Sequence, residues 1–509
     1  MRRPAGSIRT SRGVRLSVLS CASALLLGAL IAPLASAGGT TGRTIGQSPA
    51  KVVTIGQRST GSSLTGSSLG LSYEVSDLAL PSFTSGNLAT YLRTLGRSVI
   101  RIGGSTSDET FWTSHAEKAP SWSIATITPA DLDALGRLAR ASGWKVILGV
   151  NLKHNDPSRA ADEAAHASRS LGPYLQAIEI GNEPNYYRQY SRNHQQYFKD
   201  FETYAAAIKK AVPGVAIEGT DDGNTSDALY SDFVKDESRL ARPDIAELTS
   251  HEYPLVSSKC GGHPTIADLL GPDAHLSEKQ IAEQAAAQAA RLHVPALFDE
   301  ANSAVCGGQH GVSNVFASAL WVLDDELTTA REGVAGDYLH GTIVQCGSAD
   351  SLYNYYTPLC APTAADAAAG RLAAQPEYYG LAAVHLIGTG DFLQVNDPTW
   401  TTVRAFALRH TDGTMTVVLD NVQDPAHSGP TTLRLGLGAS FAAGRKVELT
   451  AGSLSATTGI TLGGQTVSAD GHLALPRSTP FQVGGNTLTI SVPAGTADIL
   501  TLTPTHSTR

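Results

Sequence analysis

Between residues 71 and 341 short apolar runs alternate eight times with intervening stretches, many of them helical in pattern, and this alternation limits the fold more than any other feature. The runs at 71–75, 98–104, 145–151, 175–180, 216–219, 247–253, 294–300 and 338–341 read as strands. Helical patterns occupy 88–95, 129–142, 160–171, 197–212, 277–292 and 315–330. Apolar strands separated by helical crossovers predict a parallel sheet covered on its outer face, and eight such units close a (β/α)8 barrel over residues 68–385.

The pattern then changes. Residues 392–395, 403–408, 415–419, 432–435, 446–449 and 488–492 form short, often alternating runs split by Gly, Asp and Pro turns. This predicts an all-β sandwich over 386–505. The Gly-, Ser- and Thr-rich stretch 38–67 reads as a linker, or as a strand at 52–55 lent to the sandwich.

Among the strands that end in carboxylates, two stand out. The fourth runs into Gly181-Asn182-Glu183-Pro184, and the seventh into Asp299-Glu300-Ala301-Asn302. Barrel enzymes keep their chemistry at the carboxyl ends of their strands. Cleaving a glycosidic bond needs one carboxyl group to give a proton and another to supply negative charge. Glu183 and Glu300 are therefore the candidate catalytic pair. Glu252, at the end of the sixth strand, is the rival nucleophile.

With 46 acidic residues against 38 Lys and Arg, a net charge of −8 offers no basic face for nucleic acid or an anionic membrane. Five arginines up to Arg15, an apolar run at 18–34 and Ala35-Ser36-Ala37 form an export signal cut after Ala37, which predicts a secreted protein with no membrane association after removal. Beyond it remain Cys260, Cys306, Cys346 and Cys360, an even set that favours disulfides. Of the three possible pairings, the favoured one closes a local loop with Cys346 and Cys360 and ties two loops of one face with Cys260 and Cys306. No short ligand-like spacing suggests a metal, and no cofactor motif is present.

The run 179–185, with 299–303 and 312–324, resembles glycoside hydrolase family 79, the family of β-glucuronidases and heparanases. Leu71-Ser72-Tyr73-Glu74, Arg101-Ile102-Gly103-Gly104, Tyr356-Thr357-Pro358 and Glu377-Tyr378-Tyr379-Gly380 look like further signatures, so the resemblance spans nearly all of the exported chain. It implies a retaining mechanism in which Glu183 is acid and base and Glu300 the nucleophile. It also implies an Asn182 contact to the sugar 2-hydroxyl. Arg101 is expected to pair with Glu179 or to hold Glu300 in its charged form, and Tyr253 to position Glu300. Glu74 and Asn151, at strand ends, are candidates to line the sugar site. His340, Gly341 and Tyr356 are candidates to receive a uronic carboxylate.

The expected activity is hydrolysis of a β-glucuronide or related β-glycoside, with a glycoside or oligosaccharide, uronic-acid-containing or not, as the partner. The alternatives are an endo-acting heparanase-like enzyme, an uncharged-sugar glycosidase, and a non-catalytic carbohydrate-binding or cell-surface protein.

Overall fold

The computed structural model describes residues 50–347 and 355–505. The export segment 1–37, Cys21 within it and the first part of the 38–67 stretch lie outside the described residues.

Eight parallel strands close the barrel in sequence order: β2 (Leu69–Glu74), β3 (Val99–Gly103), β4 (Lys145–Val150), β5 (Leu175–Ile180), β6 (Ile217–Asp222), β7 (Glu247–Glu252), β8 (Ala296–Ala301) and β9 (Val334–His340). β2 and β3 are buried at every position. This is why they read as continuous apolar runs: helices cover one face and the barrel interior the other. At the floor, Val99, Ile147, Ala177, Leu297 and Tyr338 pack as one layer. A side chain at Gly70 would meet the Tyr338 ring at 2.1 Å, so glycine there admits the ring.

The crossover helices are α1 (Leu88–Thr94), α2 (Pro129–Ser142), α3 (Pro157–Leu171), α4 (His194–Ala211), α5 (Ala228–Glu237), α6 (Pro272–Leu292) and α7 (Phe316–Glu332). α2 shows its sequence signals directly: a Thr128–Asp131 capping box, Pro129 in the first turn and Gly143 left-handed at the end. α5 was not expected from the sequence. Neither was α8 (Pro376–Ile387), which is buried on nearly all sides and so carries no amphipathic period.

The long strands beyond the barrel are β10 (Gly390–Asn396), β11 (Val403–Arg409), β12 (Met415–Asn421), β13 (Thr431–Thr450), β14 (Thr479–Val492) and β15 (Thr496–Pro504). They form one mostly antiparallel sheet that folds back on itself. The strand β1 (Lys51–Leu64), ahead of the barrel in sequence, pairs antiparallel with β10 and parallel with β13. The runs expected as separate strands at 432–435 and 446–449 are the two ends of β13. That strand stays continuous through a register slip between Gly436 and Phe441 against β14.

Helix α7 lies between barrel and sheet, and every residue from Phe316 to Ala330 is buried. Its first N–H groups donate to the Ala456 and Leu454 carbonyls, at 2.7 and 2.9 Å, and its Asp324 pairs with Arg404 of β11.

The packing buries many carboxyl groups. Burial pushes Asp77 up to about 7, and Glu163 and Asp222 up to about 8. Each keeps a proton in the folded chain at pH values where the unfolded chain has released it, so folding stability falls as pH rises from about 4 through 8. A single group contributes at most about 1.4 kcal/mol per pH unit over that range. Glu300 and Asp324 shift the other way and weaken the fold only as pH drops below about 4. The melting temperature is therefore expected to peak near pH 4 to 5 and to fall by several degrees per unit up to about pH 8. Calorimetric scans across that range check it, and a melting temperature that rises toward neutrality would contradict it.

Candidate active site

At the top of the barrel the chain departs from regular strand geometry in three places. Glu183 sits just beyond β5 with φ 48°, a left-handed conformation a glutamate rarely adopts, held by its N–H donating to the Asp221 carbonyl at 2.8 Å. Asp221 in β6 also has a positive φ, 58°, where the pairing with β7 slips between Gly219 and Asp222. The β8 pairing with β7 slips between Phe298 and Glu300. That slip lets consecutive residues Asp299 and Glu300 both approach Arg101, at 3.9 and 2.7 Å, where strict alternation would turn them to opposite faces.

Arg101 is the centre of the site. Its guanidinium is fully buried and donates to Glu179 twice (2.7 and 2.9 Å), to Asn182 Oδ1 (2.9 Å), to Asp221 (2.9 Å), to Glu300 Oε2 (2.7 Å) and to Ser72 (3.2 Å). A side chain at Gly103 would meet Arg101 Nε at 2.3 Å, so glycine there leaves room for the head group. Arg101 thus contacts both of the partners considered for it.

His251 supplies the second cation. Its Nε2 lies 2.9 Å from Asp221, and its Nδ1 lies 3.0 Å from Glu183 Oε1 and 3.7 Å from Glu300 Oε1. Burial opposes its charge, but Glu300 and Asp221 raise its pKa well above the usual imidazole value. As an imidazolium it donates from both nitrogens. The carboxylates divide accordingly. Burial alone would raise Glu300; His340, His251, Arg101 and the Tyr253 hydroxyl (2.8 Å) instead hold it well below the usual carboxylate range. Asp221 is likewise lowered, against burial, by Arg101 and His251. Asp299 is raised by burial and by the Asp221 charge, and so keeps its proton. Arg101 and His251 therefore face the ionised Glu300 and Asp221, opposite charges whose pairing makes their common burial tolerable.

The site thus presents an ionised, nearly enclosed Glu300 beside a more open Glu183, with side-chain exposures of 10% and 26%. Because both contact His251 Nδ1, their Oε1 atoms can be no further apart than the sum of the 3.0 and 3.7 Å contacts. Asn182 is buried, with its oxygen fixed by Arg101 and its amide nitrogen left to a cavity of about 510 Å³ that Glu183 and Tyr186 also line. Asp221, His251 and Asp299 bring potential metal-ligand atoms within 4.8 Å of one another. The Arg101 guanidinium already sits among these acids, so the positive charge such a cluster would attract is in place.

The other candidates fall in different positions. Glu74 is buried, accepts from the Thr106 backbone at 2.7 Å and faces His340 Nε2 at 3.4 Å, so it braces His340 from behind. His340 is itself buried, with Nδ1 3.0 Å from Ser72 and 3.8 Å from Glu300. Tyr356 stacks on Tyr253 with centroids 5.8 Å apart. Gly341 packs against Thr357, whose Oγ1 lies 2.5 Å from where a Cβ would stand. Asn151 lines a neighbouring cavity and not the one beside Glu183. Glu252 faces away from this group, and its pKa is raised well above the usual range by burial and by Glu278 and Asp337.

Cys260 pairs with Cys306 and Cys346 with Cys360. The first bridge ties the loop after β7 to the loop after β8, beside a parallel pairing of Leu255-Val256 with Ala304-Val305. Asp221 was not found from sequence, because the fifth strand had seemed to end at Gly219. His251 lies within the sixth strand, 247–253, where nothing in the sequence assigns it a role.

No protein-family model and no curated protein matches the chain. Solved structures do. A 4-O-α-L-rhamnosyl-β-D-glucuronidase from Fusarium oxysporum 12S, in complex with Rha-GlcA, is similar at 21% identity and TM-score 0.70, covering 88% of this chain and 100% of that one. The GH51 arabinofuranosidase from Xanthomonas axonopodis pv. citri follows at 15% and 0.62, covering 89% and 99%. The GH39 enzyme from the same organism follows at 15% and 0.56, covering 92% and 100%. At such identities the likeness is one of fold: the chain has the barrel-and-sheet architecture of these glycoside hydrolases.

Proposed function

We propose that this chain is a secreted, retaining glycoside hydrolase of the family 79 type that releases a β-linked glucuronic acid or close relative through a covalent glycosyl-enzyme on Glu300. The carrying observation is that Glu183 and Glu300 converge on one imidazolium. Their bounded separation is compatible with the roughly 5–5.5 Å of retaining enzymes and reaches only the shortest end of the roughly 6.5–9.5 Å that inverting enzymes need for a water.

In the first step the Glu300 carboxylate attacks the anomeric carbon while Glu183 protonates the departing oxygen. In the second, Glu183 deprotonates a water that displaces Glu300. Arg101, Tyr253 and the two histidines keep Glu300 anionic and oriented, so its attack needs little rearrangement of charge. The Asn182 amide nitrogen is placed to donate to a sugar hydroxyl, a bond that can strengthen as the ring flattens toward an oxocarbenium ion. The choice of a glucuronide rests on the sequence resemblance and on the glucuronidase among the similar structures. Export rests on the leading arginines, apolar run and small-residue cut site, and the two disulfides fit it.

A panel of aryl β-glucuronide, β-glucoside, β-xyloside and α-L-arabinofuranoside tests the reading. Turnover of the glucuronide at least about a hundredfold above the glucoside is expected, since a site built to bind the carboxylate leaves buried donors unpaired against an uncharged sugar. Preference for an uncharged glycoside would replace the glucuronide assignment while keeping the hydrolase.

A further inference from the structure

Beside the cavity at Glu183 lies a second one, walled by neighbouring residues of the same two loops. Thr110, Phe111 and Trp112 follow Asp108 and Glu109 of the first, and Asn151 and His154 flank its Lys153. It encloses about 220 Å³. Its walls are largely aromatic: Trp122 stacks on His154 with centroids 3.7 Å apart and meets Phe111 edge-on at 6.0 Å.

Two of its lining residues carry buried polar atoms without a partner. Asn151 Oδ1 accepts the His154 N–H at 3.1 Å, which fixes the amide and leaves Nδ2 buried with no acceptor. Thr110 Oγ1 is buried without a partner as well. Glu163, 4% exposed, also lines the cavity, and burial together with Asp162 pushes its carboxyl up to about 8. Arg159, the nearby cation, is taken up by Glu117 and Asp156. Buried donors and acceptors left unmet are rare and costly, so a cavity with two of them on its lining residues is suited to a hydroxylated guest. Aromatic walls can cover the C–H faces of a sugar ring, and a few convergent polar groups fix its orientation. A protonated Glu163 beside Asp162 does not favour an anion.

We propose that this cavity is a subsite for one uncharged pyranose ring, the neighbouring sugar of a longer glycoside held across Glu183. The identity of that ring as part of a substrate rests on the hydrolase reading; the affinity of the cavity for the ring does not. The full chain is titrated calorimetrically with methyl β-D-glucopyranoside, methyl β-D-galactopyranoside and methyl β-D-xylopyranoside, alongside Trp122→Ala, Trp122→Phe and Asn151→Ala, each checked for folding by thermal melt. Saturable binding of at least one pyranoside, weakened at least tenfold in Asn151→Ala and in Trp122→Ala, is expected; if Trp122→Ala does not fold, Trp122→Phe takes its place. No saturable binding of any of the three, or binding equal in the variants, overturns the subsite. Turnover of an aryl glucuronide by the unaltered chain is measured on the same preparation. Its absence counts against the hydrolase reading alone, because the titration needs no turnover.

Discussion

Glu300→Ala is expected to lower turnover of an aryl β-glucuronide by about ten-thousand-fold or more, because Glu300 is the ionised carboxylate that meets His251 beside Glu183. Asp221 is ionised but fully buried beneath Arg101 and His251. Asp299 is fully buried too and keeps its proton. The fold should tolerate the change. Removing one negative charge leaves Arg101 and His251 in excess by one, and a protonated neighbour, Asp299 or Glu179, can ionise to restore the balance. The space vacated beside the sugar should also admit a small anion. Added azide is expected to restore part of the activity on a substrate with a good leaving group and to give a glycosyl azide of inverted configuration, since it attacks from the side Glu300 occupied. The kinetic trace and the anomeric proton coupling of the product check both. Activity within tenfold of the unaltered chain would remove Glu300 from the mechanism.

The barrel was legible in the sequence because its strands are buried on both sides and its helices on one, so strand and helix runs differ in texture along most of the chain. The same logic explains where the reading failed. Helix α8 is apolar on nearly all sides and β13 carries glycines through its middle, so periodicity and turn signals pointed elsewhere. In the site, residue type and strand-end position single out Glu183 and Glu300, whereas Arg101 stands mid-strand and enters through its pairing with Glu179 or Glu300. Those signals did not suffice for Asp221, whose inward approach depends on a ladder slip that no local pattern announces. Glu74 and Asn151 show the complementary limit. Both stand at strand ends, yet one faces His340 and the other lines the second cavity, which strand-end position alone does not distinguish. His251 was visible as a residue. Its role required knowing that Asp221, Glu183 and Glu300 would meet around one ring.

Glu183→Ala is expected to separate the two chemical steps. Protonation of the leaving oxygen matters in proportion to how poor that leaving group is, so an alkyl or sugar aglycone should lose about a hundred- to ten-thousand-fold, while a dinitrophenyl aglycone, which departs without help, should be attacked at nearly the original rate. The second step then becomes limiting for the activated substrate, because water has lost its base while Glu300 remains held by Arg101 and Tyr253. A burst of dinitrophenol equal to the enzyme concentration should therefore precede slow turnover, and the glycosyl-enzyme should accumulate to a level that intact-mass measurement detects on the peptide bearing Glu300. His251 loses its acceptor at 3.0 Å in this variant but keeps Asp221 at 2.9 Å, so its ring stays in place and the effect belongs to the missing carboxyl group. The dependence of log(kcat/KM) on leaving-group pKa should steepen relative to the unaltered chain. Equal losses on dinitrophenyl and alkyl glycosides would show that Glu183 does not deliver the proton, and the assignment of acid and base would have to pass to another group lining the same cavity.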